Sequence, residues 1–495
     1  MKISSKNHKI TKYAYIFSII LISGCSNTVS PVLVSIPENL QMFWNTIIKD
    51  NPLPEKLQLI YENPENTLIP EIRININYNK KTSISNNIIL LETKYLVPCT
   101  NFDNTKTDIK NNELSNFKLL SLDEIKLPVK GLSIEGLYPG DTNYPVFEEK
   151  VLSLHFPDNY TDKNKLKLEL TSWFENVKLY YRQMEIIPPE INWVAGTGDI
   201  MTQRGIETNL LYKNNGSDYI FGDTLSILQN QDLMIGNLEG SITYSNTKTP
   251  KSYNFKFDKN VLPILKEAGF DYFSITNNHI YDYGEPGFRD TLNFLKEADI
   301  PTSGAGLTKT EASEYTEFIF NNNIFRVLSF GAYPQEKNGW DGRTMAQVSD
   351  TRPGILFESE LTMKAVKNMT SSSSFDIVMI HGGKEWSSVP NENQKNIYRS
   401  YIDAGVDIIF GSHPHVLQGM EEWKGKLIAY SLGNFIFPGM GSMKYAEESM
   451  ILSVGVYNNE IKYIKPIPVK IDNQRLSIDK SGNILERFEN LSKDL

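Results

Sequence analysis

Residues 401–416 read Tyr401-Ile402-Asp403-Ala404-Gly405-Val406-Asp407-Ile408-Ile409-Phe410-Gly411-Ser412-His413-Pro414-His415-Val416. Gly405 stands where a helix C-terminus needs a left-handed residue. The apolar run Val406–Phe410 then suits a strand buried on both faces. The same order recurs at Leu265-Lys266-Glu267-Ala268-Gly269-Phe270-Asp271, again ahead of an apolar run. Both stretches predict helix-to-strand crossovers, and crossovers predict an α/β domain.

The pattern extends in both directions. Ile191–Ala195 ends in Gly196-Thr197-Gly198-Asp199, and Leu233–Ile235 in Gly236-Asn237-Leu238-Glu239. Tyr272–Thr276 ends in Asn277-Asn278-His279, and Phe375–Ile380 in His381-Gly382-Gly383. Leu427–Tyr430 ends in Ser431-Leu432-Gly433-Asn434. In such sheets ligands gather outside the carboxyl ends of the strands, where these polar residues fall. Residues 450–470 alternate apolar and polar and suit closing strands.

Histidine is used sparingly, with six in the chain, and four of them, His279, His381, His413 and His415, sit at these strand ends. In extended chain, His413 and His415 would face one side, with Pro414 fixing the backbone between them. They are either metal ligands or hydrogen-bonded loop residues. Glu385 follows His381 by four positions, and Asp282 follows His279 at a spacing that suits orienting its ring. Asp199 and Glu239 are either ligands or helix N-caps. Taken together, two carboxylates, Asn and several His make a mixed nitrogen and oxygen set. That set suits one or two divalent ions, Mn, Zn or Fe, rather than Ca. There is no G-x-S-x-G elbow and no Walker A loop.

The chain carries a formal charge of −9, with no basic footprint for nucleic acid. At 495 residues it is long enough for two or more domains. Residues 1–25 read as a lipoprotein signal: Lys2, Lys6, Lys9 and Lys12, an apolar run from Tyr13 to Ile22, then Ser23-Gly24-Cys25. The stretch Leu21–Cys25 resembles a bacterial lipobox, which implies lipid on Cys25 and an envelope location outside the cytoplasm. The alternative is an uncleaved anchor helix. Cys99 is then left alone, and no intramolecular disulfide is expected. Residues 26–35 read as a tether and 36–189 as a smaller α+β domain. That domain has strand-like runs at Ile72–Ile76, Ile88–Leu91 and Val151–Leu154 and a helix over Lys165–Tyr181. Within it, Leu127–Leu154 resembles part of a periplasmic solute-binding domain. Ile187-Pro188-Pro189 marks the boundary, 190–475 is the α/β domain, and 476–495 is a C-terminal tail.

Six motifs now stand in order: Gly198-Asp199-Ile200-Met201 with Arg204-Gly205; Asn237-Leu238-Glu239; Asn277-Asn278-His279 with Asp282; His381-x-Gly383-x-Glu385; Gly411-x-His413-Pro414-His415; and Ser431-Leu432-Gly433-Asn434. The set resembles the CapA, or poly-γ-glutamate capsule synthesis (PGA_cap), family, which is similar to calcineurin-like metallophosphoesterases. The resemblance implies an α/β/β/α sandwich. It implies metal ligands at Asp199, Glu239, Asn278, His381, His413 and His415, with Glu239 bridging. It implies catalytic roles for His279 with Asp282, an anion-holding role for Arg204, and pocket positions for Asn237, Glu385 and Asn434. The implied activity is phosphoesterase-like hydrolysis in a surface polymer or its precursor, with a membrane polymer synthase as partner. The alternative is a non-catalytic accessory for polymer export or anchoring. Two positions depart from the pattern. Met201 replaces the histidine of an Asp-x-His motif, which weakens the metal position nearest Asp199. Gly382 stands where relatives often carry Trp, which widens the pocket mouth.

Overall fold

The computed structural model describes residues 32–37, 57–62, 72–79, 88–155, 169–176 and 189–495, apart from 103, 105, 140, 142, 214, 215, 321, 473 and 494. The expected signal and Cys25 lie outside these residues. Among the described residues, no helix is long and apolar enough to cross a membrane.

The chain divides into two compact units, residues 1–93 with 149–185, and residues 94–148 with 186–495. In the first unit, Val32–Pro37 runs parallel to Leu57–Glu62 and to Ile72–Asn79. Ile72–Asn79 pairs antiparallel with Phe147–His155. The sheet therefore begins inside the stretch expected to be a tether. The helix expected over 165–181 is described at 169–176, with Leu170, Trp173 and Phe174 buried.

The boundary at Pro189 needs correction for residues 94–148, which group with the C-terminal unit. Packing explains why. Tyr138 meets Trp193 and Tyr463 edge-on, with ring centroids 5.0 and 5.1 Å apart. The buried Lys462 ammonium donates to the Ile125 carbonyl at 2.8 Å. Cys99, a buried free thiol, lies in this segment.

The rest of the second unit is two sheets face to face. The first contains β1 (Asn192–Ile200), β2 (Leu233–Leu238) and β3 (Tyr272–Ser274). The second contains β4 (Thr316–Phe320), β5 (Asn323–Ala332), β6 (Phe375–Gly382), β7 (Ile408–Ser412), β8 (Leu417–Trp423) and β9 (Lys426–Leu432). The chain then returns to the first sheet as β10 (Asn434–Ile436), β11 (Glu448–Tyr457), β12 (Glu460–Asp472) and β13 (Arg475–Ile478). The first sheet runs β3-β2-β1-β11-β12-β13, with β10 also on β1, and the second runs β4-β5-β6-β7-β9-β8. Strands β1, β2 and β3 are mutually parallel, as are β5, β6, β7 and β9.

Side-chain alternation assigns the layers. Val194, Leu233 and Ile235 face Ile377, Met379, Ile408, Phe410 and Leu427 in the core between the sheets. Their neighbours Ala195 and Met234 turn to the helices Ile206–Tyr212, Val261–Glu267 and Gly284–Glu297. Val378, Ile380, Ile409 and Ile428 turn to Glu360–Met369 and Glu392–Asp403. A strand with both faces buried must be apolar throughout, which accounts for the continuous runs seen in the sequence. The result is the expected α/β/β/α sandwich. Gly269 and Gly405 have φ of 113° and 110°, as helix ends require. The expected C-terminal tail includes a helix, Asn483–Ser492, whose Ile484 and Phe488 enter the core between the sheets.

This packing has a testable consequence. Phe410 is fully buried between the sheets. Phe410→Ala is expected to lower unfolding stability by about 3–5 kcal/mol in denaturant titration. A loss below about 1 kcal/mol would contradict the layer assignment.

Candidate metal centre

The two sheets bring their polar strand ends to one place. The first sheet supplies Asp199, Asn237, Glu239, Asn278, His279 and Asn434. The second supplies His381, His413 and His415. All nine are buried. Gly198 makes the approach possible, because a Cβ there would collide with the Gly433 carbonyl oxygen. That same oxygen accepts the Asp199 N–H at 3.0 Å and so fixes the carboxylate's position.

Neither Asp199 nor Glu239 caps a helix. Asp199 accepts Asn237 Nδ2 at 2.8 Å and the His413 N–H at 3.2 Å. His415 Nδ1 lies 3.3 Å from Asp199 Oδ2 and 2.9 Å from Asn434 Oδ1. Asp199, Glu239 and His415 offer ligand atoms that all lie within 4.8 Å of one another. A second group adjoins them. His381 Nε2 is 2.9 Å from Asn278 Oδ1, 3.1 Å from His413 Nδ1 and 3.9 Å from Glu239 Oε1. Glu239 therefore stands between the two groups, as a bridging carboxylate would.

His413 and His415 converge, but not through extended chain. Their φ values are 98° and 58°, in the left-handed region that non-glycine residues rarely adopt. The turn between β7 and β8 aims both rings inward, and the expectation of an extended pair is corrected accordingly. Such strain persists where the surroundings over-determine it, and it concentrates at functional sites. Met201 is buried in the apolar layer and donates its N–H to Ile436 at 2.6 Å. The position beside Asp199 was expected to be weakened by Met201, yet His415 supplies a nitrogen to it from the opposite sheet.

His279 is oriented by Asp282, with Nδ1 2.7 Å from Oδ2, and its Nε2 lies 3.8 Å from Glu239 Oε1. Arg204 stands one ring away from the cluster. Its guanidinium lies over Phe255 and Phe437, which contact His279 at 4.1 Å and His415 at 5.0 Å. It also donates to the Pro438 carbonyl at 2.8 Å. Glu385 is exposed, so it acts on His415 and Glu239 only by charge, from the rim. Four participants carry no sequence signal. Ser412 Oγ is 3.0 Å from His381 Nδ1. Trp386 stands over His415, with centroids 5.2 Å apart. Lys251 and Glu336 sit behind His279 and Asn278. Ser412 ends β7 in register with His381 of β6, whereas Trp386, Lys251 and Glu336 reach the site only where distant loops meet.

The cluster's polar atoms fit a cation. Both oxygens of Glu239 and Nε2 of His413 are buried without a hydrogen-bond partner among the described residues. A buried polar atom left this way is costly, and a bound ion satisfies it. The electrostatics agree. Burial, and then the Asp199 charge, push Glu239 well above the usual carboxylate range. Burial pulls His415 down, but Glu239 and Asp199 outweigh it and raise it to about 10. Burial and the neighbouring histidines hold His381 and His413 well below the usual histidine value, so both rings are neutral and available as ligands.

Residues 194–439 match the sequence profile of the family described as bacterial capsule synthesis protein PGA_cap. This part of the chain is a PGA_cap domain. It is 31% identical over 244 residues to the PGA biosynthesis protein CapA of Bacillus subtilis (strain 168), covering 48% of this chain and 62% of that protein. It is 29% identical over 284 residues to the capsule biosynthesis protein CapA of Bacillus anthracis, covering 55% and 66%. The chain thus spans somewhat less than two thirds of either relative's length. Among solved structures, the 5'-nucleotidase from Candida albicans SC5314 aligns at 14% identity with a TM-score of 0.33, over 62% of this chain and 54% of that one. The fold assignment rests on the layers and strand order of the PGA_cap domain itself.

The raised values fix the sign of a pH effect. At neutral pH His415, raised to about 10 by the Glu239 and Asp199 carboxylates, holds a proton that a cation must displace. Titration calorimetry with Mn²⁺ or Zn²⁺ in buffers of different ionisation enthalpy is expected to show net proton release. Affinity is expected to fall as pH drops from about 8 to about 6. Proton-independent binding would contradict this.

Proposed function

We propose that the PGA_cap domain is a metal-dependent hydrolase acting on a phosphoester or related bond in a surface polymer of the capsule or poly-γ-glutamate type, or in its precursor. The observation that carries this reading is the set of buried, unpartnered ligand atoms on Glu239 and His413. One ion would be held by Asp199, Glu239 and His415, and a second by Glu239, Asn278, His381 and His413. The mixed nitrogen and oxygen donors suit Mn, Zn or Fe. A bound ion supplies Lewis-acid polarisation and lowers the pKa of water at the site.

The chain's own residues supply the rest. Asp282 accepts a hydrogen bond from His279 Nδ1–H, so that Nε2 faces the cleft and, once protonated, would pass its proton to a leaving group, with the ring returning to the neutral Nδ1–H form. Burial holds the free imidazole below its usual value, which favours release of that proton. Arg204 is exposed at the rim, where its guanidinium would hold an anionic group of the substrate. The aromatic wall of Phe255 and Phe437 excludes water behind His279 and His415.

We further propose that Cys25 carries lipid and holds the domain at the membrane surface, beside a polymer synthase. Metabolic labelling with a fatty acid tests this, with loss of label expected in Cys25→Ala. Retained label in that variant would contradict it. A second reading, a non-catalytic accessory for polymer export or anchoring, is favoured by Met201 lying in the core rather than among the ligands.

Kinetics on a model phosphodiester separates the two readings. His279→Ala is expected to lower kcat by about 10²–10⁴ while metal content is retained. Asp199→Ala is expected to lower both metal content and activity. Wild type indistinguishable from both variants would support the accessory reading.

A further inference from the structure

Lys251 comes from the loop between β2 and the helix Val261–Glu267, outside every motif. Its side chain is fully buried. An ammonium has three N–H groups, and here each has an acceptor. Lys251 Nζ donates to the Asn278 carbonyl at 2.6 Å, to Asp282 Oδ1 at 2.8 Å and to Glu336 Oε1 at 2.9 Å. The Trp340 ring covers it with its centroid 4.2 Å away. A buried ammonium is costly unless fully paired, so its presence at this place asks for a reason.

The two carboxylate acceptors lead to different members of the site. Asp282 gives Oδ1 to Lys251, while Oδ2 accepts the Phe255 N–H at 2.7 Å and meets His279 Nδ1 at 2.7 Å. A carboxylate held ionised in this way can only accept, so the His279 proton must sit on Nδ1. Glu336 Oε1, held by the same ammonium, takes Asn278 Nδ2 at 3.3 Å. It too can only accept, so the Asn278 amide turns its oxygen toward His381.

We propose that Lys251 is a positioning residue for this centre: one buried ammonium fixes the tautomer of His279 through Asp282 and the amide orientation of Asn278 through Glu336. The second arm rests on the reading that Asn278 Oδ1 faces a bound ion, while the first stands without it. The charge of Lys251 thus couples the proton-carrying residue to a ligand of the metal position. Two carboxylates and one ammonium leave a net negative charge behind the cluster, which also favours a cation in front.

The test uses the full chain labelled with ¹⁵N-histidine, the metal alone (Mn²⁺ or Zn²⁺) as probe, and three variants. Lys251→Met is expected to abolish the predominance of the Nδ1–H tautomer of His279 in histidine side-chain NMR and to weaken metal binding by about 10–100-fold. Glu336→Gln is expected to weaken metal binding while leaving the His279 tautomer as in wild type. The Lys251→Met/Glu336→Gln double variant keeps the buried charges balanced and reads both arms if Lys251→Met alone does not fold. A folded Lys251→Met or double variant with the wild-type tautomer and wild-type metal affinity would overturn the proposal. If wild type binds no metal, the hydrolase reading fails by itself, and the tautomer measurement still decides the Asp282 arm.

Discussion

Asp199 and Glu239 bring two carboxylates into one buried pocket, and Glu239 has no hydrogen bond there among the described residues. A buried carboxylate without a partner costs several kcal/mol. The rest of the centre is arranged around that deficit. His415 faces both carboxylates, His381 lies within 4 Å of both, and Lys251 adds a buried charge behind them. Protons compensate part of the charge, which is why Glu239 and His415 both titrate high. A divalent cation compensates it more completely and uses the orphaned atoms that protons leave unpaired.

The sandwich exists to make that pocket possible. No single sheet carries enough ligands. The carboxylates come from the sheet of β1 and β2, the ring nitrogens of His381, His413 and His415 from the sheet of β6 and β7. The two sheets touch through apolar side chains along their length. At their carboxyl ends the backbones approach closely, where Gly198 meets Gly433. There the left-handed turn after β7 delivers two histidines across the gap. Fold and site are thus one construction, and the apolar core holds the strand ends close enough to form one cluster.

Much of this was legible in the residues. Apolar runs ending in glycine and polar side chains gave the parallel strands and their functional ends, because burial on both faces leaves no other composition. The restriction of four of six histidines to those ends gave the cluster. Three things were not legible. The conformation of His413-Pro414-His415 depends on φ values that sequence does not dictate for histidine. The attachment of residues 94–148 to the C-terminal unit depends on Tyr138, Trp193 and Tyr463 meeting across long separations, which leaves no periodicity to read. The Lys251–Glu336 network joins two loops whose proximity only the folded chain creates. Met201 lies in the apolar layer, and the nitrogen beside Asp199 is that of His415, already expected as a ligand, from the other sheet.

The proposed bridging of metal ions by Glu239 is what the rest of the centre turns on. Anomalous diffraction from crystals of the full chain grown with Mn²⁺ tests it most directly. A peak is expected at ligand distance, about 2.0–2.3 Å, from a Glu239 oxygen. Asp199 and His415 should complete its shell, or Asn278, His381 and His413 should do so. A map with no such peak, in which the Glu239 oxygens are hydrogen-bonded to protein or water instead, would contradict it.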